Sequence, residues 1–162
     1  MQIPGAEELT VYLEKENKTL GEYALEREEE TAKRSREEIR QQMDQALAVM
    51  ERSSQAARKE PVRSVSGLTG GNAWKYESYL AAGKSILGRI PSLAAAMALS
   101  CSEINASMQC IVACPTAGSC GIVPASLLSC AQERGLSRER VIDGLFAASA
   151  VGMIIGSRAT LA

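Results

Sequence analysis

The chain contains no histidine, so the side chain that most often serves as a general base near neutral pH is missing. It also lacks a membrane-spanning run: its longest apolar stretch, Leu145 to Gly156, falls short of the roughly 20 residues a helix needs to cross a bilayer. Met1 to Leu13 has neither the basic start nor the apolar run of a secretory signal. There is no basic excess, the net charge being −1, and no basic stretch interleaved with aromatics. Neither a nucleic-acid nor a membrane partner is expected. The five cysteines are an odd number without a single Cys-x-x-Cys pair, so reduced thiols and a cytoplasmic location are expected.

What is present suits one domain: 162 residues, 46% of them hydrophobic, enough for a core. Charge is concentrated in residues 1–60 and sparse in 61–162, which divides the chain into a charged helical N-terminal region and a part where a core and a site would lie. No convincing strand alternation occurs, and the pattern predicts an all-α fold. A first helix is expected over Ala6 to Glu16. Thr19 and Glu22 then form a Thr-x-x-Glu capping box opening one long charged helix from about Leu20 to Lys59. Its apolar positions Ile39, Met43, Ala46, Leu47 and Met50 fall at helical spacing, and Pro61 ends it. Further helices are expected near 74–87, 92–109, 124–134 and 138–155. In the last of these Gly144, Ala148, Gly152 and Gly156 line one face, where another backbone could approach closely.

Two glycine-rich loops punctuate this pattern. Residues 114–121 read Cys-Pro-Thr-Ala-Gly-Ser-Cys-Gly and residues 66–73 read Ser-Gly-Leu-Thr-Gly-Gly-Asn-Ala. Each leads into a helix signal. Small residues let backbone N–H groups approach a ligand, and a helix N-terminus favours an anion. Asn72 is placed to cap the helix after the first loop. Gly83-Lys84-Ser85 imitates the end of a phosphate-binding loop, but the position five residues before Gly83 is Ser78, not glycine; it reads as a helix end.

The first loop, then Glu103-Ile104-Asn105-Ala106-Ser107-Met108, then the second loop running into Ile122 form three motifs in order. Together with Gln41-Gln42-Met43-Asp44 and Val49-Met50-Glu51, they resemble the α chain of bacterial iron–sulfur-dependent L-serine dehydratases, from about residue 8 onward. The resemblance implies a lyase converting L-serine to pyruvate and ammonia by β-elimination. It implies a 4Fe–4S cluster whose iron takes the departing hydroxide and a β chain or domain as partner; a homo-oligomer is expected separately, through the small-residue, apolar face of the 138–155 helix. It also implies that the two loops hold the amino acid through Thr69, Gly70, Gly71, Thr116, Gly118, Ser119 and Gly121, with Ser66, Asn72 and Asn105 as further donors. This chain has Asn72 where the family usually has Asp. It stops at Ala162, short of the family's Gly-Gly-Cys segment, so an N-terminal part of the α chain is expected, inactive alone and without cluster ligands of its own.

Two residues are catalytic candidates. Cys120 would lie near the substrate, its pKa lowered by a helix N-terminus. Lys75 is, with Lys84, the remaining basic candidate inside or next to the first site helix, although both read more readily as solvent-exposed. Cys110, Cys114 and Cys120 have a spacing that fits neither ferredoxin pattern, and Cys101 and Cys130 read as small core residues. The alternative to an enzyme is a helical interaction module, its charged helix docking a partner and its loops serving as turns.

Overall fold

The computed structural model describes residues 5–114 and 116–157. Among them are seven α-helices, a single 3₁₀ turn over Ala117–Ser119 and no strand, in agreement with the all-α expectation. The chain divides into two compact units, 1–44 with 138–162 and 45–137. That division differs from one at residue 60. Composition tracks exposure, whereas the units follow which apolar faces cover one another, and the last helix belongs with the first two.

The first unit holds α1 (Ala6–Glu16), α2 (Leu20–Ala32), the opening of α3 (Arg36–Lys59) and α7 (Arg138–Gly156). Thr19 and Glu22 make the expected capping box: Glu22 Oε2 accepts from the Thr19 N–H at 2.7 Å, and the Glu22 N–H donates to Thr19 Oγ1 at 3.2 Å. These bonds from Thr19 hold the Glu22 carboxyl below the usual carboxylate range.

The long helix expected from 20 to 59 is in fact two helices. Lys33 takes a left-handed conformation at φ 51°, and Ser35 starts α3 with a second capping box. The Ser35 N–H donates to Glu38 at 2.9 Å, and the Glu38 N–H returns to Ser35 Oγ at 3.3 Å. Ser-x-x-Glu is the same signal as Thr-x-x-Glu, masked here by the helical spacing that continues across it.

Helix α2 packs on α7. The approach is close at Gly21, where a Cβ would stand 2.9 Å from the Asp143 carbonyl oxygen. Around it Ala24 and Leu25 of α2 and Val141, Ile142, Leu145, Phe146 and Ala150 of α7 are buried. Each large side chain so covered contributes about 1.5–3 kcal/mol. Arg40 of α3 bridges to Asp143 at 2.9 Å and Glu139 at 2.6 Å, and Arg138 bonds Asp44. Exposed pairs of this kind add little next to the apolar contact.

The second unit takes the rest of α3 with α4 (Asn72–Ala81), α5 (Arg89–Ala106), the 3₁₀ turn and α6 (Ile122–Arg134). Helix α4 ends earlier than expected because Gly83, at φ +68°, turns the chain. Helix α5 packs on both α4 and α6, and Ala57, Ala73 and Ile104 join α3, α4 and α5 in one buried cluster. Beside it, the Ser100 hydroxyl of α5 enters α3. It donates to the Ser53 carbonyl at 2.7 Å and accepts from the Ala57 N–H at 3.1 Å, two groups that a regular α-helix joins to each other. Arg58 and Glu77 pair at 2.8 Å to link α3 with α4.

Two glycine substitutions should have opposite signs. Gly152 has nothing within 4 Å of a built Cβ, so Gly152→Ala should stabilise the protein by about 0.5–1 kcal/mol through helix propensity. Gly21→Ala meets backbone that has no freedom to swing away, and should cost about 1–3 kcal/mol as an overpacked contact. Urea midpoints of the two single variants check this; a stabilised Gly21→Ala would mean that α2 and α7 do not pack as described.

Candidate functional site

The first loop is built on backbone pairing. Arg63 and Gly70 form an isolated antiparallel bridge, flanked by Gly71 N–H to Val62 O at 3.0 Å and Ser64 N–H to Thr69 O at 2.9 Å. The Ser64 hydroxyl braces the inside, accepting from the Thr69 N–H at 3.1 Å. Gly70 sits at φ +138°, and a Cβ there would fall 2.2 Å from the Val62 carbonyl oxygen. Only glycine fits that position. Ser66 and Thr69 lie at the surface, and Gly71 is buried.

Asn72 does not cap α4. Its side chain is exposed, and the carboxylate of Glu103, on the last turn of α5, takes the capping role. Glu103 Oε1 accepts from the Asn72 N–H at 2.5 Å and from the Ala73 N–H at 3.4 Å. Glu103 is only 7% exposed, and its second oxygen, Oε2, is buried with no hydrogen-bond partner. The free N–H groups expected to cradle a ligand at the start of α4 are thus spent on the protein's own anion.

Glu103 opens the motif Glu103-Ile104-Asn105-Ala106-Ser107-Met108, where the local pattern alone assigns it no role. A signal was there: it is the single charged residue between Arg89 and Glu133, and a lone charge in an apolar helix needs a partner.

The second loop is a compact turn. The Ser119 N–H donates to Thr116 Oγ1 at 3.2 Å, the Thr116 N–H to Ser119 Oγ at 3.4 Å, and the two hydroxyls lie 2.9 Å apart. Asn105 Nδ2 donates to the Ala117 carbonyl at 3.0 Å. Thr116 and Gly118 are exposed and Ser119 is half-buried. Gly121, expected to face a ligand, is instead a packing residue: a Cβ there would stand 2.9 Å from Ala98 O and 3.2 Å from Cys101 Cβ, so it lets α6 start against α5.

Both loops are therefore fastened to the last turn of α5, the first also through the Val65 N–H to Ala106 O at 3.0 Å. Glu103 and Asn105 are two positions apart on that turn, and each is bonded to one of the loops. No hydrogen bond joins one loop to the other among the described residues.

The two catalytic candidates fare differently. Cys120 is 2% exposed, with its Sγ 3.9 Å from the Cys101 carbonyl. Burial pushes its thiol up, the reverse of the expected lowering, because the start of the following helix is packed against α5 rather than open. Lys75 is exposed on the first turn of α4.

Cys101 is buried, Cys110 exposed, and Cys114 and Cys130 lie between. Among the described residues no three His, Cys, Asp or Glu gather where they could hold a metal ion. No described helix is long and apolar enough to cross a membrane. An apolar hollow in the first unit, lined by Leu9, Leu13, Leu20, Val151, Ile154 and Ile155 among others, holds none of the candidate residues.

Residues 15–162 match the family described as serine dehydratase alpha chain. The chain is 38% identical over 142 residues to the probable L-serine dehydratase alpha chain of Bacillus subtilis (strain 168), covering 88% of this chain and 47% of that one. It is 36% identical over 138 residues to the L-serine dehydratase alpha chain of Peptoniphilus asaccharolyticus, covering 85% and 47%. Over 65 residues it is 43% identical to a probable L-serine dehydratase alpha chain of Latilactobacillus sakei, covering 40% and 31%. The chain spans about half the length of the first two. No solved structure matches it.

The thiols generate a pH prediction. Burial raises the pKa values of Cys101, Cys114 and Cys120 above the ordinary 9.0, so the unfolded chain gives up these protons first. Their contribution to stability is whole below 9.0 and is lost as the pH climbs through the higher folded values. Urea midpoints should fall above that pH, and more gently in Cys120→Ala. Exposed Cys110 should alkylate first, and Cys120 only on unfolding; rapid alkylation of Cys120 in the folded chain would refute its burial.

Proposed function

The chain belongs to the serine dehydratase alpha chain family, and we propose that it is the substrate-holding part of an L-serine dehydratase, a lyase giving pyruvate and ammonia. The observation that supports this most directly is the second loop. It presents the Thr116 hydroxyl and the exposed Gly118 on a turn braced by Ser119 and anchored by Asn105. A rigid turn of hydroxyl and backbone groups is suited to a small carboxylate. Ser66 and Thr69 offer further hydroxyls on the first loop.

Elimination removes the α-proton of serine and expels hydroxide from the β-carbon. Lys75, exposed beside the first loop, is the basic side chain best placed to approach a ligand there. Cys120, buried and held as a thiol, serves the packing of α6 on α5 instead. A 4Fe–4S cluster would supply a Lewis acid for the hydroxide. The described residues offer it no ligand set, so in this reading its ligands lie outside this chain, whose own work is to bind and orient the substrate. The same reading makes a β chain the partner and the cytoplasm the location. It also makes the end of α7, where Gly152 and Gly156 stand open beside exposed Val151 and Ile155, the surface through which copies associate.

Anaerobic assembly of this chain with the remaining length its relatives carry and with a β chain should yield pyruvate from L-serine. The 162 residues alone should yield none and show no cluster absorption. Thr116→Val in the assembled enzyme should lower kcat/KM about tenfold or more, the loss of one substrate hydrogen bond to a charged group. Full activity in that variant would remove the second loop from the site. Inactivity of the assembled wild type alongside tight β-chain binding would favour an interaction module.

A further inference from the structure

Glu103 Oε2 is a carboxylate oxygen shut away from water with nothing to bond. Its sibling Oε1 is fixed on the first turn of α4, so the free oxygen lies at the same helix start. No lysine or arginine is paired with it among the described residues. Native proteins seldom leave such an oxygen unmet, and each exception calls for an explanation such as an ordered water, an ion or a functional role.

The chemistry of the donor follows from the charge. The candidate site residues Ser66, Thr69, Asn72, Lys75, Asn105, Thr116, Ser119 and Cys120 include no carboxylate, yet a free amino acid carries an ammonium as well as a carboxylate. Hydroxyls and backbone N–H groups satisfy the second of these and leave the first without a counter-charge. Among the described residues Glu103 is the one carboxylate bonded to either loop.

We propose that Glu103 Oε2 accepts the α-ammonium group of an amino-acid ligand, with Oε1 remaining on α4. The inference rests on the serine dehydratase reading for the identity of that ligand. Oε2 is shut off from water, so the loop ahead of α4, in which Leu68 is 87% exposed, must shift for a ligand to reach it.

Glu103→Gln separates this role from simple anchoring. The amide oxygen still accepts from Asn72 and Ala73, while the amide NH2 replaces Oε2 and faces the ammonium with a donor. In the assembled enzyme, L-serine affinity should weaken by about 10–100-fold. KM should rise with kcat within a few-fold, as when a contact made equally in ground and transition states is lost.

Glycerate, which has a hydroxyl in place of the ammonium, should bind both proteins alike. Equal weakening for serine and glycerate, or no weakening of either, overturns the proposal while leaving serine as the ligand. If the wild type converts no serine and binds none, the functional reading fails first and takes this inference with it. Should Glu103→Gln not fold, a crystal structure of wild-type enzyme with L-serine decides. An ammonium within hydrogen-bond distance of Glu103 supports the proposal; an ammonium beyond about 3.5 Å, or a lone water on Oε2, overturns it.

Discussion

Two polar side chains buried on one face of α5 hold the second unit together. Ser100 inserts its hydroxyl between a carbonyl and an N–H of α3, and Glu103 receives the first N–H groups of α4. Both are directional bonds in a setting without water, where an unmade bond costs about 1–3 kcal/mol and more for a charged group. The apolar contacts of Ala57, Ala73 and Ile104 would tolerate small slides along the helices; these bonds do not. The position of the first loop follows from them, because the Gly71–Asn72 link is drawn to wherever the Glu103 carboxylate is held.

The first unit is organised on the opposite principle. There α2 and α7 meet through close backbone approach at Gly21 and a broad apolar surface, and ion pairs decorate the exterior. Helix α3 passes through both units and shows both characters in turn: charged and surface-paired at Arg40, buried and bonded through its backbone at Ser53 and Ala57. A single helix carrying two kinds of neighbour explains why charge density along the sequence is a poor guide to where the chain divides.

Much of the fold was legible because helix signals are local. The Thr19–Glu22 box, the stop after Lys59 and the apolar spacing from Ile39 to Met50 all depend on residues a few positions apart. The break at Lys33–Ser35 was equally local and was overridden by a periodicity that happened to continue through it.

The site was less legible because its key bond spans 31 positions: nothing near Asn72 shows that a carboxylate on another helix will take its N–H. The same limit applied to Cys120 and Gly121. Their places depend on how closely α6 approaches α5 at Ala98 and Cys101, which is a property of packing and not of the loop's own composition.

The fit of Gly70, Gly71 and Glu103 has a consequence for how such a chain can diverge. A side chain at Gly70 would push the loop off Val62 and drag the α4 start away from the carboxylate, while loss of the carboxylate would remove the reason for the loop's strained glycine conformations. Substitutions at the three positions should therefore be strongly epistatic: the second change in any pair should cost much less than the first. Drift at these sites is confined to concerted replacement, and a lineage that abandons one of them has little left to preserve in the other two.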